Sequence, residues 1–176
     1  CKLNVESPEN KELVQKYKVN ALPTMLFLNV KGVVLQTING VREPAGFLHE
    51  ARVVMGEALS FEQLYEKVRK EKKNLDLRQE LLLQAPACIS IQGGYNREMW
   101  ITRIESVFDS YIADKTLDKM VNPEDFALLV MFHQQKDKND PIFDALVRNY
   151  QGYVEQVGKV DVDKYIINLY NGYIIS

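Results

Sequence analysis

The sequence has few of the side chains that most often bind metals or attack substrates, with 2 cysteines and 2 histidines among 176 residues. Cys1 and Cys88 are too far apart to match a metal-ligand or redox spacing, so we expect neither thiol to perform chemistry. His49 and His133 are equally isolated, without a nearby cysteine or clustered carboxylates, and we expect surface or hydrogen-bonded histidines. The sequence therefore predicts no metal site, no cofactor and no catalytic residue.

An excess of one charge and a long apolar run are also absent. The 22 basic and 24 acidic side chains nearly cancel, and no lysine or arginine cluster is interleaved with aromatic residues, as a nucleic-acid surface would require. The longest apolar run, which contains residues 127–132, falls well short of the roughly 20 residues that span a bilayer. We therefore expect no nucleic-acid partner and no membrane span.

The first 57 residues combine strand and helix patterns. A continuous apolar run at 25–30 is typical of a central strand covered on both faces. Lys31 and Gly32 form a tight turn into the next apolar run, which predicts a hairpin. Ser7 and Pro8 suit the cap and the first position of a helix. The predicted order is strand, helix, strand, strand and helix, over residues 1–5, 8–18, 25–30, 33–38 and 44–55.

After residue 57 the apolar residues follow helical spacing, which predicts an all-α domain of about six helices. Asn122 and Asp140 each precede a proline and are predicted to cap helices. Pro86 is predicted to stop a helix. The expected fold class is therefore a partial α/β domain, residues 1–57, followed by a helical domain, residues 58–176.

One stretch is specific enough to suggest a family. Residues 16–27 contain a helix end with Tyr17 and Val19, a small and apolar pair, Pro23 followed by Thr24, and an apolar strand, and a glycine turn follows. This order resembles the thioredoxin family, in which a helix ending in Tyr-x-Val precedes a cis-proline, a threonine and an apolar strand. The resemblance extends from residue 1 to about residue 56 and implies the C-terminal half of a thioredoxin fold.

The resemblance also implies a site. In such proteins the peptide bond before the proline is cis, and the neighbouring backbone groups pair with an extended protein or peptide substrate. By this resemblance Leu22, Pro23 and Thr24 would form the substrate-binding loop. The residues alone leave another interpretation open, in which Pro23 merely ends a loop ahead of a strand.

The sequence departs from the family in two respects. The family's Cys-x-x-Cys pair lies at a helix start, where the dipole lowers the pKa of the first thiol, upstream of the strand that residues 1–5 match. This sequence has no such pair, and Cys1 falls on the strand, so we do not expect it to be a nucleophile. The family's sheet also has a strand between those matched by 2–5 and 25–30. We expect the strand at 2–5 to shift and pair directly with another strand, to lie on the helical domain, or to be completed by a second copy in a homo-oligomer.

The helical domain offers weaker candidates. Glu124 and Asp125 lie in the first turn of a predicted helix, where a capping role is favoured over acid–base catalysis. Core packing accounts for most of the C-terminal tyrosines, although a peptide-binding groove is an alternative. These tyrosines are Tyr150, Tyr153, Tyr165, Tyr170 and Tyr173.

A thioredoxin-like domain with a helical extension is similar to secreted thioredoxin-family proteins of Bacteroidetes-type bacteria. The resemblance implies a fragment of a thiol–disulfide oxidoreductase or isomerase of the periplasm or cell envelope, inactive without its cysteine pair. The alternative is a non-catalytic scaffold whose helical domain binds a protein or peptide. Residue 1 is not methionine, so we expect a preceding segment, and localisation cannot be read from these residues.

Overall fold

The computed structural model describes residues 2–133 and 139–175. The chain divides into two units, Cys1–Ser60 and Phe61–Ser176. Within the described residues, the first unit has a two-stranded antiparallel sheet and two α-helices, and the second unit has helices only. A partial α/β region is thus followed by a helical region. Over the same residues, no helix combines the length and the apolar character that crossing a membrane requires.

The first unit is built around a hairpin. Met25 lies opposite Ile38 and Phe27 lies opposite Gln36, so the predicted hairpin is confirmed, as is the helix that follows it. The elements are a 3-10 turn Pro8–Asn10, α1 Lys11–Lys16, β1 Thr24–Leu28, β2 Val34–Asn39 and α2 Pro44–Val54.

The turn of the hairpin is fixed by two residues. The side-chain oxygen of Asn29 accepts hydrogen bonds from the backbone N–H groups of Lys31 and Val33, at 2.9 and 3.0 Å. Gly32 has a φ of 74°, a left-handed conformation that glycine adopts at little cost. This short, locally determined turn explains why the hairpin could be predicted from the sequence.

Residues 2–5 do not form the predicted strand. Residues 2–4 have no regular structure, and Asn4 Oδ1 accepts the backbone N–H of Glu6 at 3.0 Å. The Asn4 carbonyl also accepts a hydrogen bond from Asn10 Nδ2 at 2.8 Å. Such a side-chain turn competes with extended backbone, and a strand needs a partner as well. The prediction of a strand here was wrong; residue 1 itself lies outside the described residues.

Two further predictions for this unit need correction. β1 pairs with β2 alone in the part of the chain that the structure describes, and Leu28 is exposed, so β1 is not a central strand covered on both faces. The helix predicted over 8–18 is a 3-10 turn followed by the short α1. The side chain of Ser7 caps neither, because its hydroxyl donates to Glu9 Oε1 at 3.5 Å.

The second unit contains seven α-helices within the described residues, against about six expected. Both predicted caps are confirmed: Asn122 Oδ1 accepts from Asp125 N at 2.9 Å, and Asp140 Oδ1 accepts from Ile142 N at 2.8 Å. The helices are α3 Phe61–Lys70, α4 Leu75–Ser90, α5 Gly94–Lys115, α6 Pro123–Phe132, α7 Pro141–Arg148, α8 Tyr150–Val157 and α9 Lys159–Ile175.

Pro86 does not stop its helix, contrary to the prediction, because α4 continues through it to Ser90. Proline in a helix interior removes one backbone hydrogen bond and strains the preceding turn. Pro86 itself is exposed, while Leu81, Leu82 and Ala85 on that preceding turn are fully buried. Burial of these side chains offsets the local cost of the proline.

The core of the second unit is continuous and rich in aromatic side chains. The Trp100 ring meets those of Phe61 and Tyr65 edge-on, with centroids 5.0 and 5.2 Å apart. Further buried members include Leu64, Val68, Leu81, Leu82, Ile104, Phe108, Tyr111, Met120, Phe126, Leu128, Leu129, Leu146, Tyr153, Val162, Tyr165 and Leu169.

Candidate functional site

The first unit contains a groove of about 800 Å³, lined mainly by β1 and by residues that precede it. The lining residues come from residues 2–5, the 3-10 turn, α1, the loop before β1, β1 itself and α2. The lining residues are Lys2, Leu3, Val5, Asn10, Leu13, Val14, Tyr17, Val19, Leu22, Pro23, Thr24, Met25, Leu26, Phe27, Leu28 and Phe47. We call it the β1 groove.

All five residues of β1 line the groove in succession. Because neighbouring side chains of a strand point to opposite faces, a surface that touches every residue must run along the strand's edge. On the hairpin side, the Pro23 carbonyl accepts from Gly40 N at 2.8 Å, and Asn29 N donates to the Val33 carbonyl at 3.0 Å.

Backbone groups of a strand alternate between its two edges. Since Pro23 and Asn29 direct their groups towards β2, those of Thr24, Leu26 and Leu28 point towards the groove. Within the described residues no strand pairs with this edge. The groove therefore presents backbone donors and acceptors in the spacing that an extended chain would match.

The three residues predicted to bind substrate all line this groove. The peptide bond between Leu22 and Pro23 is cis, as the resemblance implied. Leu22 is 65% exposed, so its side chain is available to a partner. The Thr24 hydroxyl donates to the Ala21 carbonyl at 2.6 Å and also lies 3.1 Å from Asn39 Oδ1. The Thr24–Ala21 hydrogen bond closes the loop ahead of β1. A closed loop agrees both with a substrate-binding loop and with the simpler interpretation that Pro23 ends a loop.

The walls of the groove are apolar. The rings of Phe27 and Phe47 stack with centroids 5.7 Å apart, and Tyr17 donates its hydroxyl to the Gly32 carbonyl at 3.4 Å. Lys2 is the one charged residue among those that line it, and the described lining contains no cysteine, histidine or carboxylate. The groove therefore has the apolar character and the length of an extended segment, and its polar side chains among the described residues are Lys2, Asn10, Tyr17 and Thr24.

None of the cysteines and histidines that the structure describes is among the residues that line this groove. Cys88 is half-buried on α4 and His49 is half-buried on α2, whereas Cys1 lies outside the described residues. His133 Nε2 lies 2.9 Å from Asp140 Oδ2. This pair joins the residue after α6 to the cap of α7, and the sequence did not reveal it. Among the described residues, no group of three histidine, cysteine or acidic side chains could hold a metal ion.

A second concentration of polar groups, which sequence reasoning missed, surrounds Asp125 in the helical unit. Asp125 is fully buried, and its Oδ1 accepts from Tyr111 Oη at 2.5 Å and from Gln79 Nε2 at 2.9 Å. Its Oδ2 accepts from Asn122 Nδ2 at 2.6 Å and lies 2.5 Å from Lys115 Nζ. We call these five residues the Asp125 cluster.

The electrostatics of this cluster favour an ionised carboxylate. Burial raises the pKa of Asp125, but hydrogen bonds from Lys115, Tyr111, Asn122 and Gln79 outweigh burial and bring the pKa below its usual value. Burial and the adjacent Asp125 both raise the pKa of Tyr111 far above that of a free tyrosine, so its hydroxyl remains a donor. Glu124 and Asp125 both lie in the first turn of α6, as predicted, and the complete burial of Asp125 agrees with the preference for a capping role over acid–base catalysis.

The C-terminal tyrosines serve mainly in packing. Tyr153 and Tyr165 are buried, and Tyr165 donates to the Leu129 carbonyl at 2.9 Å. Burial raises the pKa of Tyr153 to about 12. Tyr150 is half-buried and donates to Asp163 at 2.6 Å, whereas Tyr170 is exposed. The packing role expected for most of these tyrosines agrees with the burial of Tyr153 and Tyr165; the side chain of Tyr173 lies outside the described residues.

Comparison with protein-family models, curated proteins and solved structures gives no match to this chain.

Proposed function

We propose that residues 1–57 are the C-terminal half of a thioredoxin-like domain in a thiol–disulfide oxidoreductase or isomerase. In this proposal the chain itself is redox-inactive, because exchange requires an attacking thiolate and a resolving neighbour. The sequence has only two cysteines, and Cys88 belongs to the helical unit. We also propose that the intact protein acts on a protein or peptide substrate and that it is located in the cell envelope.

The observation that carries the proposal is the β1 groove. A half-domain of this kind lacks the strand that should lie beside β1, and the groove presents an unpaired β1 edge opposite residues 2–5. Its apolar lining suits a strand whose side chains would complete a core. An ordinary folded domain does not leave such an edge beside an apolar groove, because an unpaired edge invites aggregation.

Leu22, Pro23 and Thr24 are the proposed substrate-contacting residues. They lie at the end of the groove where β1 begins, and Leu22 offers an exposed apolar side chain there. The Thr24 hydroxyl, bonded to the Ala21 carbonyl, holds the loop in shape. Substrate would pair with the backbone of this loop, and Leu22 would contribute apolar contact.

Insulin reduction with dithiothreitol tests the inactive state of residues 1–176. We expect a rate equal to that of the reagent alone, and a rate well above this background would contradict the proposal. The coding sequence immediately before residue 1 provides the decisive second test. A Trp-Cys-x-x-Cys pattern there supports the proposal, and its absence excludes a dithiol enzyme.

The role of Leu22 is testable in a chain extended to include such a cysteine pair. Leu22→Asp should lower kcat/KM for insulin about tenfold, equivalent to about 1.4 kcal/mol of lost contact. Leu35→Asp is the matched control, because Leu35 is similarly exposed on β2 but does not line the groove. Equal losses in the two variants would remove Leu22 from the substrate site.

The alternative proposal is a non-catalytic scaffold whose helical unit binds a protein or peptide. Exposed apolar side chains on α9, at Val160, Ile167 and Tyr170, favour it. Two results together would support this alternative. The extended chain would lack a cysteine pair, and Ile167→Asp would abolish binding of a protein partner that Leu22→Asp leaves intact.

A further inference from the structure

The connection between α5 and α6 contains an unusual backbone conformation. Thr116, the residue after α5, has φ 62° and ψ 135°. Among the described residues, Lys18 is the other non-glycine residue with positive φ, and Thr116 alone is β-branched. A β-branched side chain clashes with the backbone in this region, so such a conformation persists only where surrounding contacts impose it.

Contacts at both ends of the connection provide that constraint. Lys115, immediately before Thr116, places its Nζ 2.5 Å from Asp125 Oδ2 and donates to Tyr111 Oη at 2.7 Å. Asn122, at the other end, donates to the same carboxylate oxygen at 2.6 Å. The two ends of residues 116–122 are therefore tied to one buried carboxylate.

The middle of the connection is also held. Met120 is fully buried, and Asp118 Oδ1 accepts from Asn149 Nδ2 at 3.0 Å. A Cβ atom added to Gly152 of α8 would lie only 2.9 Å from Val121 Cγ1, so α8 is packed directly against the connection. The connection has little room to relax while these contacts hold.

The two charges of the ion pair differ in access to solvent. Asp125 is 0% exposed, whereas the Lys115 side chain is 19% exposed. A buried carboxylate that loses its cation is strongly destabilised, because the remaining dipoles only partly replace it. Lys115 is thus the accessible member of the pair, and its charge is the one that modification or substitution can remove.

We propose that residues 116–122 form a strained hinge, which the Lys115–Asp125 ion pair holds closed and which loss of the Lys115 charge releases. Once released, Thr116 returns to an ordinary φ, and α6 keeps its hydrogen bond from Tyr111 of α5 but loses the ion pair with Lys115. The titratable groups around Asp125 are Tyr111 and Lys115 from α5 and Tyr153 from α8, with Asp76 near Tyr111 and Asp118 near Tyr153. Of these, Lys115 alone carries a positive charge.

A set of four variants tests the hinge in the full chain. Thr116→Gly removes the clash, and Thr116→Ala keeps a Cβ and serves as its control, because glycine alone tolerates this conformation. Lys115→Met removes the charge, and Lys115→Arg keeps it. We expect Thr116→Gly to raise the urea midpoint above that of Thr116→Ala, and Lys115→Met to accelerate amide exchange in residues 117–126 at least tenfold.

The double variant decides whether the two features are coupled. If the ion pair maintains the strain, Thr116→Gly should stabilise the Lys115→Met background much less than it stabilises the parent. Equal gains in both backgrounds would overturn the proposal, and so would a Thr116→Gly chain no more stable than Thr116→Ala. The glycine and alanine variants provide this test even if Lys115→Met does not fold.

Discussion

The two units use their apolar side chains in opposite ways. In the first unit, among residues whose burial is described, Ile38 alone is buried, at 3% exposure. Val30, Val33 and Leu35 of the same unit are more than half exposed. In the second unit, by contrast, apolar side chains from all seven helices join one core, together with buried tyrosines.

The difference indicates where stability originates. Each buried aliphatic or aromatic side chain contributes about 1.5–3 kcal/mol, so the helical unit has the larger supply of folding free energy. The first unit has a well-defined hairpin but little enclosed apolar surface, so it gains less free energy from burial than the helical unit does. The sole tryptophan, Trp100, is buried in the helical unit, so its fluorescence follows that unit specifically.

The largest expected effect is at Asp125. Asp125→Ala should destabilise the helical unit by about 3–5 kcal/mol, because it leaves Lys115 and the surrounding donors without their shared acceptor. Urea unfolding followed by Trp100 fluorescence measures the change. Asp109→Ala, on the exposed face of α5, is the control and should lie within about 0.5 kcal/mol of the parent. Similar losses of stability in Asp125→Ala and Asp109→Ala would show that the Asp125 cluster does not stabilise the helical unit.

The same leucine-to-alanine change in each unit tests the comparison directly. Leu81→Ala, at a fully buried position of α4, should cost about 2–5 kcal/mol by the fluorescence measurement. Leu35→Ala, on β2 and 55% exposed, should cost under about 1 kcal/mol, measured by amide exchange of the hairpin. A larger loss of stability in Leu35→Ala would mean that the Leu35 side chain is buried in solution by a further contact.

A smaller effect is expected at Gly152. Alanine there must displace Val121, whose Cγ1 would lie 2.9 Å from the new Cβ, and the loss should be about 1–2 kcal/mol. Gly172→Ala on α9 meets no atom within 4 Å and should stabilise the helix by up to about 1 kcal/mol. Adding Val121→Ala to Gly152→Ala should restore much of the loss. If Gly152→Ala and Gly172→Ala were equally stable, the close contact between residue 152 and Val121 would be contradicted.

The smallest expected effect is the loss of stability at acid pH when Asp125 becomes protonated. Since the pKa of Asp125 is lower in the folded chain, its ionisation adds stability above the unfolded value of about 3.9. That contribution disappears as the pH falls through the folded pKa. The difference in urea midpoint between the parent and Asp125→Asn, followed by Trp100 fluorescence from neutral pH to pH 3, should therefore shrink once the pH falls below about 4. A constant difference across this range would show that Asp125 does not titrate in this way.

Local signals determined what could be predicted from the sequence. The hairpin depends on Asn29 and Gly32, and two helix starts depend on Asn122 and Asp140, each acting within a few residues. Such short-range hydrogen bonds are visible in a sequence because both partners lie together in it. The helical character of the second half was visible for the same reason, through its apolar spacing.

Features that depend on distant residues were missed. The predicted strand at 2–5 failed because pairing requires a neighbouring strand, while the turn at Asn4 needs only Glu6. The Asp125 cluster joins Gln79 to Asp125 across 46 positions, and no local pattern marks such a pair. Leu22, Pro23 and Thr24 were selected by resemblance, but the groove that they line became visible only in three dimensions.

The unpaired edge of β1 also has a consequence for the behaviour of the protein at high concentration. Residues 24–30 contain no charge and no proline, a composition typical of segments that stack into fibrils. Lys31 is the nearest charged residue that could interrupt such stacking. When the hairpin opens on heating, both edges of this segment become available to other molecules. Recovery after cooling should therefore depend more on protein concentration than on the temperature reached, even where the helical unit refolds.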